Sequence, residues 1–206
     1  MKKFLITTKL ELDKHKSSKF SLEIEWFSLA NKLKIDLIPV CYKDEKKIKS
    51  NNFKFDGVIF SGGGDLFIKK KNKENQIRDT FETKLLKYCL RKNIKTLFVC
   101  RGLQLMVSHN NIKLIKKNFH VTKNHKIDMQ KNIFNMKLKK LNVNSYHHYT
   151  FSKCPKNYTI IAKHIDGTIE IVQSIKLNSL GLMFHPERYN VDTSKVNKIL
   201  KKFIYS

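Results

Sequence analysis

The sequence predicts an α/β fold: a central, mostly parallel sheet with helices on both faces and a small antiparallel β extension. Three observations carry this. Short apolar runs alternate with amphipathic segments over the first 110 or so residues. Residues 74–92 repeat Ile77, Phe81, Leu85 and Tyr88 at helical spacing. Beyond residue 110, short β-like pieces predominate until a final helix. Strand–helix alternation argues for a parallel sheet covered on both sides.

The elements follow in order. KFLITT (3–8) reads as the first strand. A helix is expected from Ser18 to Leu33, with Phe20, Ile24, Phe27 and Leu29 near one face. IDLIPV (35–40) is a second strand, and FDGVIFSGGG (55–64) a third that runs into a glycine turn. TLFVC (96–100) is the fourth, and a helix follows it from about Leu103. VNS (143–145), TIIAKH (159–164), TIEIVQS (168–174) and LGLMFH (180–185) are the later β pieces. SKVNKILKKFI (194–204) returns to a helix. The lysine-rich stretches 43–54 and 69–73 read as exposed loops. There is no internal repeat and no Pro/Gly/Ser linker, so residues 1–206 read as one domain.

Composition narrows the function classes. The hydrophobic content of 41% is that of a globular chain, and no apolar run reaches the length of a membrane span. MKKFLITT starts like a signal peptide, but Lys9, Glu11, Asp13 and Lys14 interrupt it, so a cytoplasmic protein is expected. The four cysteines form no CxxC pair, which argues against a disulfide framework. The net charge is +25, yet only four of the 42 basic residues are arginine and the lysines are dispersed. That pattern fits a solvated surface and an AT-rich coding composition better than a nucleic-acid partner. A small anionic substrate suits the positive field better.

LFVCRGLQLM (97–106) places Cys100 between a buried strand and a helix start. A thiol on such a turn is reachable, and the helix N-terminus stabilises its thiolate. Cys41, Cys89 and Cys154 read as packing or loop positions. FSGGGD (60–65) sets bare backbone N–H groups at the sheet edge, where they can hold an oxyanion. In GLMFHPER (181–188), an extended backbone puts His185 and Glu187 on one side, so Glu187 can orient His185 and His185 can take the Cys100 proton. In VNSYHHY (143–149), His147 and His148 alternate in direction, which argues against both binding one ion.

With these motifs in order, the chain resembles the class I glutamine amidotransferases, and within them the single-domain γ-glutamyl hydrolase branch, peptidase family C26. The anchors are SGGGD (61–65), CRGLQ (100–104), VNSYHH (143–148), DGTIE (166–170) and FHPE (184–187). The resemblance implies a flavodoxin-like amidotransferase fold and a Cys100–His185–Glu187 triad. It also implies an oxyanion hole from the N–H groups of Gly63 and Arg101, and substrate contacts from Gln104, Ser145, Tyr146 and His147. No metal or organic cofactor is implied. The expected reaction is hydrolysis of a γ-glutamyl amide through a thioester at Cys100. Members of the branch act on γ-glutamyl polyamines or on a γ-glutamyl-CDP-amidate that supplies capsule phosphoramidate. The positive charge favours the latter, with Lys69–Lys71 and Arg188 expected near the site. A glutaminase serving a separate synthase is the alternative, and a homodimer is left open. No nucleic-acid or membrane partner is expected. Two departures stand out. Phe98 occupies a position that is usually glycine, and Tyr149 one that is often glutamine.

Overall fold

The computed structural model describes residues 1–15, 17–50 and 53–206, apart from the side chains at 122 and 123. In chain order the strands are β1 (Lys2–Thr7), β2 (Lys9–Leu12), β3 (Ser18–Ser21), β4 (Ile35–Val40), β5 (Gly57–Phe60) and β6 (Lys95–Val99). They continue with β7 (Ile115–Lys116), β8 (Val121–Met129), β9 (Lys140–Tyr146), β10 (Tyr149–Thr150), β11 (Thr159–His164), β12 (Ile169–Ser174) and β13 (Ser179–Leu182). The α-helices are α1 (Glu25–Leu33), α2 (Glu45–Lys49), α3 (Lys73–Lys92), α4 (Arg101–His109) and α5 (Thr193–Tyr205).

Nine strands form one sheet in the order β4-β1-β5-β6-β13-β12-β11-β8-β9. Neighbours from β4 to β13 are parallel, and those from β13 onward are antiparallel. The β extension is therefore not a small appendage: it continues the main sheet with four strands.

Alternation along β1 separates the two cores. Phe4 and Ile6 join Trp26, Leu29 and Leu33 of α1 and Ile199, Leu200 and Phe203 of α5. Leu5 joins Phe81 and Leu85 of α3 and Leu103 and Met106 of α4. Parallel strands need cover on both faces, and these two helix layers supply it. Asn72 caps α3 by accepting from the Asn75 N–H at 2.9 Å, and Asn93 ends it in the left-handed conformation.

Several expectations change. Residues 18–33 are not one helix: Ser18–Ser21 pairs with Lys9–Leu12 as a hairpin, and α1 begins only at Glu25. Ile24 and Phe27 face outward, while Trp26, Leu29, Ala30 and Leu33 are buried. The apolar spacing across Phe20, Ile24 and Phe27 mimics a helix, whereas the local alternation of 18–21 suits an exposed strand. Residues 43–54 are not all loop: α2 lies there and buries Ile48, while residues 51 and 52 lie outside the described part. Strand β8 is an addition to the expected elements. All four cysteines are free.

Candidate active site

Strands β5, β6 and β13 lie side by side, and their C-terminal ends bring three distant motifs together. The register pairs Leu182 with Val99, so Cys100 and the chain entering His185 emerge at the same edge. The Cys100 N–H donates to the Leu182 carbonyl at 2.8 Å. Cys100 itself has φ 48° and ψ −103°, a conformation rarely open to a side chain. Such an elbow costs of order 1–3 kcal/mol and holds the thiol at the head of α4. Gly102 permits the elbow, because a Cβ there would lie 2.3 Å from the Phe60 carbonyl oxygen. Phe98 stacks on Phe60 with ring centroids 5.1 Å apart, so this departure is absorbed in the core below the elbow.

His185 is buried, and its Nδ1 lies 2.6 Å from Glu187 Oε1. The Cys100 side chain is close enough to the same imidazole to act on its charge. Burial alone would push the His185 pKa down. Interactions with Cys100 and with Glu187 outweigh it and raise the pKa to about 10.

Asn144 fixes this histidine from below. Its Oδ1 accepts from the His185 N–H at 2.9 Å, and its Nδ2 donates to the His185 carbonyl at 2.7 Å. Asn144 lies inside the VNSYHH motif, yet sequence reasoning singled out its neighbours instead.

The glycine turn packs directly on the imidazole: a Cβ on Gly62 would sit 2.5 Å from His185 Cε1. Gly63 and Gly64 follow with φ 80° and 75°. A buried charge network braces this turn. Arg78 donates to the carbonyls of Gly63 at 2.8 Å, Gly62 at 3.1 Å and Ser61 at 3.2 Å. It also pairs with Glu82 at 2.9 Å. Arg101 pairs with Glu82 and Asp79 and donates to the Asp65 carbonyl at 3.2 Å. The Arg101 side chain thus ties α4 to α3 while its backbone begins α4. Sequence reasoning missed Arg78, Asp79 and Glu82. The available signal was the Arg78–Glu82 i,i+4 pair in the clearest predicted helix.

The remaining predicted residues divide. Tyr146 is half exposed and sets its ring edge-on to His185, 6.0 Å between centroids. Arg188 lies over the Tyr146 ring at 4.8 Å. Gln104 is buried and donates to the Tyr149 carbonyl at 2.8 Å, and Lys69 covers the Tyr149 ring at 4.6 Å. The Ser145 hydroxyl donates to the His120 carbonyl at 2.7 Å. His147 is buried against His120 and Glu170, whereas His148 is exposed, so the paired histidines do part.

Comparison with known proteins follows the same residues. The Peptidase C26 family model matches residues 25–187. The chain belongs to the Peptidase C26 family. A Campylobacter jejuni protein described as gamma-glutamyl-CDP-amidate hydrolase is 28% identical over 184 residues, 86% of each chain. A glutamine amidotransferase-like protein of Lactococcus lactis is 26% identical over 64% of this chain and 66% of its own. Among solved structures, a Thermoplasma acidophilum protein described as part of a GMP synthase superposes with a TM-score of 0.75 at 17% identity. The match covers all of this chain and 93% of the other. A Thermotoga maritima glutamine amidotransferase gives 0.73 at 14% identity, over 98% and 96%. These two likenesses establish the amidotransferase fold. No helix among the described residues is long and apolar enough to cross a membrane.

Proposed function

We propose that this C26 member hydrolyses a γ-glutamyl amide with Cys100 as nucleophile, His185 as proton carrier and Glu187 as its orienting carboxylate. The observation that carries the reading is the strained Cys100 elbow meeting an imidazole whose other nitrogen is held 2.6 Å from a carboxylate. The Cys100 thiolate attacks the γ-carbonyl carbon, and the carbonyl electron pair moves to oxygen. The backbone N–H groups of Gly63 and Arg101 are the oxyanion donors in this reading. Loss of one such donor costs about 3–4 kcal/mol. The C–N bond then breaks, the leaving nitrogen takes the proton of His185, and a glutamyl thioester remains on Cys100. Water gives a proton to His185 and attacks the thioester. The C–S bond breaks and glutamate departs.

For the leaving group we take a nucleoside diphosphate amidate, as in the Campylobacter relative's name. Cations flank the site on both sides: Arg188 on Tyr146 beside His185, and Lys69 on Tyr149 beside Gln104. Such groups suit charge-assisted hydrogen bonds to a diphosphate. The test is to assay the purified chain alone against γ-glutamyl-CDP-amidate, γ-glutamyl-putrescine and glutamine. Preference for the amidate with release of glutamate supports the reading. Activity on glutamine only, and only with an added synthase, overturns it.

A further inference from the structure

The DGTIE and VNSYHHY stretches carry a second cluster that the hydrolysis does not use. His120 precedes β8, His125 lies within it, His147 follows β9, and Glu170 lies on β12. The extension of the sheet brings these strands together. His120, His147 and Glu170 are almost wholly buried, at 1%, 2% and 0% exposure. Buried polar atoms are normally paired, but these are not. Twelve buried side-chain nitrogen or oxygen atoms lack a hydrogen-bond partner among the described residues. Six of the twelve are here: His120 Nδ1, His125 Nε2, both ring nitrogens of His147 and both carboxylate oxygens of Glu170.

The spacing says what is missing. Glu170 Oε1 lies 3.7 Å from His147 Nε2 and 3.9 Å from His120 Nδ1, and Oε2 lies 3.5 Å from His125 Nε2. None of the three makes a hydrogen bond. Two ligands bound to one tetrahedral zinc ion, each at about 2.0–2.1 Å, stand about 3.4 Å apart. The donor atoms of His120, His147 and Glu170 all lie within 4.8 Å of one another and close on such an ion with side-chain movement.

The surroundings are also those of a ligand. The other nitrogen of His120, Nε2, lies 3.1 Å from Asp166 Oδ2. A metal-bound histidine commonly donates its second N–H to a carboxylate in this way. Asp166 is itself held by the Thr168 hydroxyl at 2.7 Å and by His164 at 2.9 Å.

We infer that His120, His147 and Glu170 form a structural site for one divalent transition-metal ion of the zinc class, with His125 facing the second oxygen of Glu170. The ion joins β8, β9 and β12 behind Tyr146, the residue whose ring meets His185. It takes no part in bond making. His147 and His148 do not share an ion, as their alternation in direction implies. His147 instead joins residues more than 20 positions away on each side.

The test uses the full chain carrying Cys100→Ser, so that the active-site thiol cannot hold metal. The protein is stripped with a chelator, loaded with zinc and dialysed. Metal content and Tm are then measured, and cobalt is loaded in parallel. One zinc per chain, a Tm raised by several degrees and the intense visible bands of tetrahedral cobalt are expected. Glu170→Gln and His147→Ala each lose stoichiometric zinc, and the exposed His148→Ala keeps it. No retained zinc and no Tm rise in the unaltered cluster overturns the inference, whether or not the variants fold. Stoichiometric zinc retained by both Glu170→Gln and His147→Ala overturns it as well.

Discussion

His185 Nδ1 and Glu187 Oε1 lie 2.6 Å apart, two residues from each other in the chain and across the turn at Pro186. Burial opposes charge on this imidazole, and the neighbouring Cys100 and Glu187 restore it, so its pKa stands at about 10 against an ordinary 6.5. A histidine whose pKa is raised on folding adds stability fully below pH 6.5 and loses it as pH climbs through the folded value. The alkaline limb of kcat/KM should accordingly fall near pH 10, not near 7. In Glu187→Gln that limb should move to lower pH, with a smaller loss of kcat than in His185→Ala, where several orders of magnitude are expected. Unchanged limbs in Glu187→Gln would remove Glu187 from the triad.

Cys100→Ala should abolish turnover and leave the fold intact. Cys100→Gly should do more: it relieves the φ of 48° and should raise stability by about 1 kcal/mol in urea unfolding while remaining inactive. A slow substrate should leave a glutamyl adduct on the native thiol, read by mass spectrometry. Near-normal turnover by either variant would exclude Cys100 as nucleophile.

Gly62→Ala tests the contact between the glycine turn and the base. The added methyl would stand 2.5 Å from His185 Cε1, and one of the two must shift. A displacement near 1 Å can cost about 100-fold in rate. Activity should fall by about that factor with little change in substrate binding. Wild-type kcat would mean that the turn yields freely.

Glu82→Gln probes the brace under that turn. It leaves Arg78 and Arg101 buried with too little negative charge, since both pair with Glu82. Removing one partner of a buried network typically costs about 3–5 kcal/mol. Chemical denaturation should show a loss in that range, and a change below about 1 kcal/mol would contradict the network's weight.

Substrate charge separates the amidate from other leaving groups. Replacing Arg188 or Lys69 with glutamine should lower kcat/KM for the nucleotide conjugate by about tenfold each and spare slow glutamine hydrolysis. Added salt should shrink the nucleotide advantage in the native enzyme. Equal, salt-insensitive use of all three substrates would rule out a diphosphate site.

The order of elements was legible because it rests on local signals: the periodicity of 74–92, the apolar strands, and the turn chemistry around Cys100 and Gly62–Gly64. Cys100, His185 and Glu187 could be singled out for the same reason, since an elbow and a His-x-Glu pair are short motifs. What escaped was long-range or polar. β8 is written V-T-K-N-H-K-I-D-M, with too few apolar residues to announce a strand. Arg78 and Glu82 sit on a face that looks solvated until Arg101 arrives beside it. His120 and Glu170 are 50 positions apart and become neighbours only through strand pairing.

The parallel pairing of β6 with β13 also has a kinetic side. β4, β1, β5 and β6 come from the first half of the chain, but β13 ends 83 residues after β6. Closing so long a loop is slow compared with local pairing. During synthesis Cys100 therefore exists before His185 does, and under the proposed mechanism an incompletely folded chain cannot turn over. Appearance of hydrolytic activity during refolding is then a clock for the last strand to dock, readable without any spectroscopic label.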